Sequence, residues 1–319
     1  MNITTNIRLI IVSSLTACTA LLAMPGTARG QIIYETNSGG NTIGEYDAST
    51  GAAINAALVS GLNLPQDIVV SGGNLWVSNQ SGNTIGEYNA STGATVNASL
   101  VSGLNAPTGI AVSGGNLWVL NGAGPSQWRI GEYNATTGAA INASLVSGLP
   151  GGVYFALSGG NLWVATDNAG TIAEYNATTG ATVNSSLVSG LNKPQGIVVS
   201  GGNLWVANNG SNTIGEYNAT TGATVNASLV SGLNGPVGLE EYGGNLFVSQ
   251  SGINTIGEYN AVTGATVNAS LFSGLNSPTG IEAVPEPATW AAGLLAVGAL
   301  LFSIWRRSAG CVRRRIPAC

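Results

Sequence analysis

A tyrosine that follows glutamate recurs six times at nearly constant spacing along the chain. The six residues are Tyr46, Tyr88, Tyr133, Tyr175, Tyr217 and Tyr259, and the successive intervals are 42, 45, 42, 42 and 42 residues. Each interval holds four short runs of β-branched and apolar residues, separated by turns rich in glycine and asparagine. Repetition at this period indicates one supersecondary unit copied in series, so it constrains the fold more than any other feature.

Four strands in a unit of about 42 residues are typical of a β-propeller blade. Glycine and β-branched residues throughout residues 31–284 exclude long helices there. The chain enters the repeats at Ile33, in a second-strand run, and leaves them at Ile281, in a first-strand run. The sequence therefore predicts an all-β, six-bladed propeller of four-stranded blades with a three-plus-one closure, which leaves no unpaired edge at the join. A solenoid of stacked hairpins is the alternative, but it would not need this offset.

The repeated motifs resemble those of the NHL, YVTN and streptogramin-lyase propellers. The resemblance covers nearly all of residues 31–284, and its motifs are Pro-x-Gly-Ile, Gly-Asn-Leu-Trp-Val-x-Asn and Asn-Thr-Ile-Gly-Glu-Tyr. It implies the propeller fold and says little about function, because such propellers have many roles.

Enzyme activity is not expected from these motifs. The resemblance implies a catalytic histidine with a metal in the streptogramin-lyase branch, and this chain contains no histidine. Gluconolactonase-like relatives bind a metal through Glu, Asn and Asp, but the matching residue types here form no distinctive cluster in sequence: Asp67, Asp167, Asn79, Asn121 and Asn208. No cofactor or metal-binding motif occurs. A metal-dependent lactonase or lyase remains the alternative function.

Residues 1–30 are typical of a secretory signal peptide. Arg8 precedes an apolar stretch over residues 9–23, and small residues surround a cleavage point before Gln31. A competing interpretation is a lipobox ending at Cys18, which would then carry lipid. The apolar stretch continues past Cys18, so the signal peptide is favoured.

Residues 285–319 contain three parts in order. Pro285, Glu286 and Pro287 fix a short extended segment, residues 288–305 carry no charge, and Arg306 and Arg307 follow. Eighteen helical residues would extend about 27 Å, enough to span most of a bilayer core, with the arginines on the cytoplasmic side.

This tail resembles a PEP-CTERM sorting signal, although it runs on past the usual end to Cys319. The resemblance implies an exosortase-type membrane protease or transpeptidase as partner, and often a link to exopolysaccharide. We therefore expect an exported protein that is an inner-membrane precursor before it reaches the cell surface, the outer envelope or the extracellular space. There it would act as a non-catalytic interaction module of the cell surface or the extracellular matrix. A retained C-terminal membrane anchor is the alternative.

Charge and cysteine content limit the propeller further. Residues 31–284 contain no cysteine, so disulfides do not hold them together. Thirteen acidic residues face only Arg129 and Lys193, which gives a formal charge of −11. A surface so acidic excludes nucleic acid as an expected partner.

Three sets of side chains repeat with the blades. The aromatic set is predicted to pack between blades: Tyr34, Trp76, Trp118, Trp163, Trp205 and Phe247. The glutamate set is predicted to be solvated at the blade rims, with shared calcium binding as the less favoured alternative: Glu45, Glu87, Glu132, Glu174, Glu216 and Glu258. The asparagine set matches both turn chemistry and the N-glycosylation pattern, and turn chemistry is favoured: Asn89, Asn97, Asn134, Asn142, Asn176, Asn218, Asn226 and Asn268.

The breaks in the repeat predict the ligand site. Three extra residues enlarge the loop of the third unit, the next connection loses Pro-x-Gly-Ile, and the one after it carries a lysine. Loops of both kinds open on one face of a propeller. We expect a binding site for an acidic or sugar ligand there, formed by Trp128, Arg129, Tyr154, Asp167 and Lys193. A further break, Glu240-Glu241, is expected to bring acid near the central channel.

Overall fold

The computed structural model describes residues 31–122, 124, 127–151 and 154–284. The predicted signal peptide and the predicted sorting tail, including Pro285, Glu286, Pro287, Arg306 and Arg307, lie outside these ranges. Within them, no helix is long and apolar enough to span a membrane.

Twenty-four strands form six antiparallel sheets of four, and each sheet is one blade. From the channel outward, blade 1 contains β24 (Pro278–Val284), β1 (Ile32–Asn37), β2 (Thr42–Asp47) and β3 (Ala53–Val59). Blade 2 contains β4 (Pro65–Ser71), β5 (Asn74–Asn79), β6 (Thr84–Asn89) and β7 (Thr95–Val101). Blade 3 contains β8 (Ile110–Ser113), β9 (Asn116–Asn121), β10 (Trp128–Asn134) and β11 (Ala140–Leu149).

The other three blades follow the same order. Blade 4 contains β12 (Phe155–Ser158), β13 (Asn161–Thr166), β14 (Thr171–Asn176) and β15 (Thr182–Val188). Blade 5 contains β16 (Pro194–Ser200), β17 (Asn203–Asn208), β18 (Thr213–Asn218) and β19 (Thr224–Val230). Blade 6 contains β20 (Pro236–Tyr242), β21 (Asn245–Gln250), β22 (Thr255–Asn260) and β23 (Thr266–Phe272). A single turn of 3-10 helix, Ser38–Gly40, follows β1.

The last strand completes the first blade. β24 pairs antiparallel with β1, with Ala283 opposite Ile33 and Ile281 opposite Glu35. This pairing confirms the predicted six-bladed propeller and its three-plus-one closure.

The aromatic set packs between neighbouring blades, as predicted. All six side chains are buried. The indole of Trp118 donates a hydrogen bond to the Ala177 carbonyl of the next blade (3.1 Å), and the Tyr34 hydroxyl bonds the Ala90 carbonyl in the same way (3.0 Å). Apolar burial and these bonds therefore hold successive blades together.

The Gly-Glu-Tyr motif has a steric basis. A Cβ added to Gly215 would lie 2.6 Å from the Tyr217 hydroxyl oxygen and 2.8 Å from its ring. The ring thus lies over the glycine two residues before it, and a larger residue displaces it. Blade 4 has Ala173 at the glycine position, and there Tyr175 is only half-buried while its five counterparts are buried.

The prediction of solvated rim glutamates is wrong. Four of the six are buried and the other two are half-buried. Each of them lies opposite the aromatic of the adjacent strand, as Glu87 lies opposite Trp76, so strand pairing carries it inward. Asparagine amides from the second strand satisfy four of these carboxylates at 2.7 Å: Asn74 to Glu87, Asn116 to Glu132, Asn161 to Glu174 and Asn245 to Glu258.

Half of the asparagine set organises hairpin turns, as predicted: Asn89, Asn134, Asn176 and Asn218. The other half lies within the outer strands, which the turn interpretation did not predict: Asn97, Asn142, Asn226 and Asn268. The Asn89 Oδ1 accepts bonds from the amides of Ser91 and Thr92 in the hairpin turn (3.1 and 2.9 Å). On the outer strand, the Asn97 Oδ1 accepts a bond from the Ser99 amide (3.1 Å), where the pairing of β7 with β6 shifts register. Beside it, Val96 is 55 % exposed on the outermost edge of the blade.

Candidate functional site

The six innermost strands surround a central cavity of about 220 Å³. One residue near the start of each inner strand faces its neighbour around this ring, and the six are Asp67, Gly109, Tyr154, Gly196, Gly238 and Gly280. A Cβ on Gly238 would collide with the Thr279 carbonyl of the next blade, and one on Gly196 would collide with the Val237 carbonyl. Glycine therefore lets adjacent inner strands approach closely at this level of the channel.

Tyr154 crosses the channel where the other blades have glycine or aspartate. Its side chain is buried, and its hydroxyl donates a hydrogen bond to the Gln66 carbonyl of blade 2 (3.2 Å). Burial, and then the nearby Asp67, raise the pKa of Tyr154 far above its usual value, so the phenol stays protonated.

Three carboxylates occupy one side of the cavity. Glu240, Glu282 and Asp67 come from the inner strands of blades 6, 1 and 2, which are neighbours around the ring. The positions equivalent to Glu240 and Glu282 are apolar in the other blades: Val69, Ala111, Ala156 and Val198. The channel is therefore acidic on one side and apolar on the other. Glu240 fulfils the expectation that the Glu240-Glu241 break brings acid near the channel.

Burial disfavours the ionised form of all three carboxylates. It raises the pKa of Asp67 to about 7, although the amides of Ile68 and Ile110 donate to the carboxylate at 3.0 Å each. Burial, with a smaller contribution from Asp67, raises the pKa of Glu282 to about 8 against the opposing bond from the Val70 amide. The pKa of Glu240 is raised well above its usual value by burial and then by the charges of Glu282, Glu241 and Asp67.

A metal does not fit these carboxylates as a shared ligand. Among the described residues, no group of three or more histidine, cysteine, aspartate or glutamate side chains is placed to hold a metal ion. Asp67 and Glu282 can therefore donate or accept protons near neutral pH, but the three acids do not converge on one ion.

A fourth acidic side chain is buried in the wall between blades 6 and 1. Glu35 is 0 % exposed, and neither carboxylate oxygen has a hydrogen-bond partner. Burial raises its pKa to about 8. The five equivalent positions hold buried valines: Val77, Val119, Val164, Val206 and Val248. Glu35 is missing from the predicted sites, although alignment of the six repeats is enough to find it, because every other unit has valine at this position.

A second pocket lies on the loop face of blade 3. Trp128 and Arg129 form part of its wall, and its volume is about 370 Å³. The remaining lining residues are mostly polar: Asn105, Gly122, Gln127, Ser144, Ser147 and Gly148. Trp128 packs partly on the core cluster of blade 3, and pairing of Trp128 with Leu149 extends the outer hairpin there. The three-residue insertion thus produces a longer hairpin and a pocket beside it.

The structure brings some of the five predicted site residues together and separates others. Trp128 and Arg129 share the blade 3 pocket, whereas Tyr154 lines the central cavity. Asp167 lies beside the preceding connection, because its Oδ1 would be 2.9 Å from a Cβ on Gly151. Lys193 is exposed in the connection before blade 5, where its carbonyl accepts a bond from the Asn209 amide (3.1 Å).

No family model and no curated protein sequence matches the chain. Solved structures share its fold. A chain of a nidogen/laminin complex superposes with a TM-score of 0.69 at 15 % identity, covering 80 % of this chain and 98 % of that one. A protein of unknown function from Bacteroides caccae gives 0.61 at 16 %, with coverage of 81 % and 100 %. A streptogramin B lyase gives 0.59 at 20 %, with coverage of 81 % and 88 %. The chain is therefore similar in fold to the NHL and streptogramin-lyase type of six-bladed propeller.

Proposed function

We propose that this protein is an exported, non-catalytic propeller that acts as an interaction module at the cell surface or in an extracellular matrix. The blade 3 pocket is the observation that carries the binding role. It combines a half-buried indole face with a guanidinium and several amide and hydroxyl groups. Sugars bind through this chemistry, since a ring stacks on an aromatic face while hydroxyls find polar partners. Arg129 adds a charge that favours an acidic sugar, because a guanidinium pairs well with carboxylates.

The carbohydrate role is tested by binding to the acidic exopolysaccharide of the producing cells. Trp128→Ala combined with Arg129→Ala should weaken binding at least about tenfold, a loss of roughly 1.4 kcal/mol. Ser144→Ala combined with Ser147→Ala should weaken it less. The matched control is Ser228→Ala combined with Ser231→Ala, the equivalent serines of blade 5, which should leave binding unchanged. Equal binding by all variants would refute this site.

The export role is supported by the two ends of the sequence. Residues 1–30 have the pattern of a signal peptide, and residues 285–319 resemble a PEP-CTERM sorting signal. We propose processing by an exosortase-type membrane enzyme, with the inner membrane as the site of the precursor. Intact mass of the protein from fractionated cells tests this. A product from about Gln31 to the Pro285–Pro287 segment supports it, whereas retention of residues 288–305 supports a permanent anchor. A lipid mass on Cys18 would place the anchor at the other end.

A lactonase or lyase is the second candidate, because burial raises the pKa of Asp67 to about 7 and that of Glu282 to about 8, values suited to proton transfer. The metal expected for such an enzyme would need ligands other than the three channel carboxylates as a group. Metal analysis of the purified protein, together with a screen for lactone hydrolysis, distinguishes the two functions. A stoichiometric, tightly held metal together with hydrolysis abolished by Asp67→Asn would support the enzyme and contradict the non-catalytic module.

A further inference from the structure

The closing strand β24 is bordered by four carboxyl groups without a cationic partner. Glu282 belongs to β24 itself, and Glu35 lies on the paired strand β1, where it is opposite Ile281. Glu240 of β20 and Asp67 of β4 face the same cavity as Glu282 from the two neighbouring blades. Within the described ranges, no lysine or arginine lines this cavity. The two basic residues of residues 31–284, Arg129 and Lys193, lie in blade 3 and before blade 5.

The surroundings of Glu35 offer no compensation for a charge. Its strand neighbour Ile33 belongs to the apolar cluster between blades 6 and 1, with Phe247, Ile256 and Phe272. Glu35 acts on the nearby phenol of Tyr46: burial, and then the charge of Glu35, raise the pKa of Tyr46 to about 12. An ionised Glu35 would therefore be a buried charge without a partner, which is strongly unfavourable.

The channel carboxylates repel one another when they ionise. Glu282 and Glu241 both act on Glu240, and Asp67 acts on Glu240 and Glu282. The phenol of Tyr154 also lies near Asp67, but it is neutral at physiological pH. Repulsion is therefore focused where β24 meets β20 and β4.

β24 differs from the other inner strands in how it is attached to its sheet. No hairpin links it to β1, because 240 residues of chain separate their nearest ends, Asn37 and Pro278. Besides the strand pairing, the Thr36 hydroxyl of β1 accepts a bond from the Gly280 amide (2.6 Å) and bonds the Thr279 hydroxyl (2.8 Å). The inner strand of every other blade is tied to its sheet by a tight hairpin. Local opening follows such differences in connection and burial.

We propose that β24 is a pH-sensitive latch: protonation of Glu35, Asp67, Glu240 and Glu282 keeps the ring closed, and their ionisation releases this strand before any other inner strand. The strand ends at Val284, directly before the Pro285-Glu286-Pro287 segment. Its seven residues, once released, would add about 23 Å of extended chain between the propeller and Pro285. The latch does not depend on the carbohydrate role or on processing of the tail.

Hydrogen exchange on the full-length protein between pH 5.5 and 7.5 tests the latch. The readout is the protection of β24 relative to that of β16, the equivalent strand of blade 5, each corrected for intrinsic exchange. Opening that releases one proton should increase about tenfold per pH unit between the open-state and closed-state pKa values. One released proton lowers the relative protection of β24 by about 100-fold over this range, and we expect at least that fall because several carboxyls take part. A ratio that stays constant with pH would overturn the proposal.

Variants separate the latch from general instability. Glu35→Val combined with Glu282→Ala copies the residues of other blades and should remove most of the pH dependence of β24. Glu216→Gln in blade 5 is the control, and it should leave that dependence unchanged. If the double variant folds poorly, Glu282→Gln alone should still reduce the slope. The latch is also contradicted if the relative protection of β24 depends on pH as strongly in folded Glu282→Gln and in the double variant as in the wild type.

Discussion

The hydroxyl of Tyr154 in blade 4 lies 3.2 Å from the carbonyl oxygen of Gln66 in blade 2 and donates a hydrogen bond to it. This bond joins blades that are not neighbours around the ring, whereas Gly196 and Gly238 at the equivalent positions bring adjacent strands into close contact. The channel is thereby closed at this level by one side chain.

Removing this side chain should destabilise the whole propeller. Tyr154→Ala is expected to cost about 3–5 kcal/mol, as for other large buried aromatics. Tyr154→Phe keeps the ring and should cost about 0.5–1.5 kcal/mol for the lost bond. Urea unfolding gives both values, with the half-buried Tyr175→Phe as a control of small effect. A Tyr154→Ala variant as stable as the wild type would show that the ring does not fill the channel.

Replacing Glu35 by the valine of the other blades should stabilise the protein. We expect Glu35→Val to add about 1–4 kcal/mol near neutral pH, because it removes a buried polar group without a partner. Glu35→Gln should add less, since its amide stays unsatisfied. Thermal unfolding of the three proteins measures the order. If Glu35→Val unfolds at a lower temperature than the wild type, the carboxylate has a partner that contributes to stability.

The stability of the wild type should fall as pH rises from about 4.5 to 8. The pKa values of Glu35 and Glu282 are raised to about 8 in the folded protein, so unfolding releases their protons throughout this window. Below the unfolded pKa both states are protonated and the penalty vanishes. Urea unfolding at pH 5, 6, 7 and 8 checks the direction. A stability that increases steadily to pH 8 would contradict these shifts.

Trp76→Ala should cost about 3–5 kcal/mol, because the indole is packed between blades 2 and 3. The control is Val96→Ala on the exposed outer strand, which should change stability by less than about 0.5 kcal/mol. Thermal unfolding of both variants measures the difference. An unchanged melt for Trp76→Ala would mean that the ring lies in solvent.

The tyrosine that folds over glycine gives a paired test. Gly215→Ala should cost about 1–3 kcal/mol, since the new methyl group collides with Tyr217. Ala173→Gly in blade 4 makes room for Tyr175 while adding backbone freedom, so its net effect should stay within about 1 kcal/mol. Comparable losses from both changes would indicate that the glycine is not there to make room for the ring.

The repeat alone was sufficient to predict the blades, their number and the closure, because strand periodicity and turn residues are local signals. The aromatic set was predicted correctly for the same reason. Glu45 and its counterparts were misplaced, since their burial follows from pairing opposite an aromatic residue of another strand, as Glu45 lies opposite Tyr34. The blade 3 pocket followed from an insertion visible in the sequence. The position of the Tyr154 side chain in the central channel could not be predicted in this way, because it depends on which blades lie opposite each other in the closed ring.

The bulge at Asn97 and its counterparts protects the exposed outer edge strands of the six blades from pairing with other molecules. Each outer strand ends its sheet with unpaired backbone groups beside an exposed valine or isoleucine, which is the arrangement that nucleates fibrils. The asparagine side chain accepts a hydrogen bond from the Ser99 amide, and its counterparts bond the equivalent amides. The shifted register also bends the strand. An edge strand of a neighbouring molecule therefore meets an irregular strand with some of its amides already bonded, instead of a flat strand with free amides. Substituting these asparagines should therefore favour pairing of outer strands between molecules and, with it, cross-β aggregation.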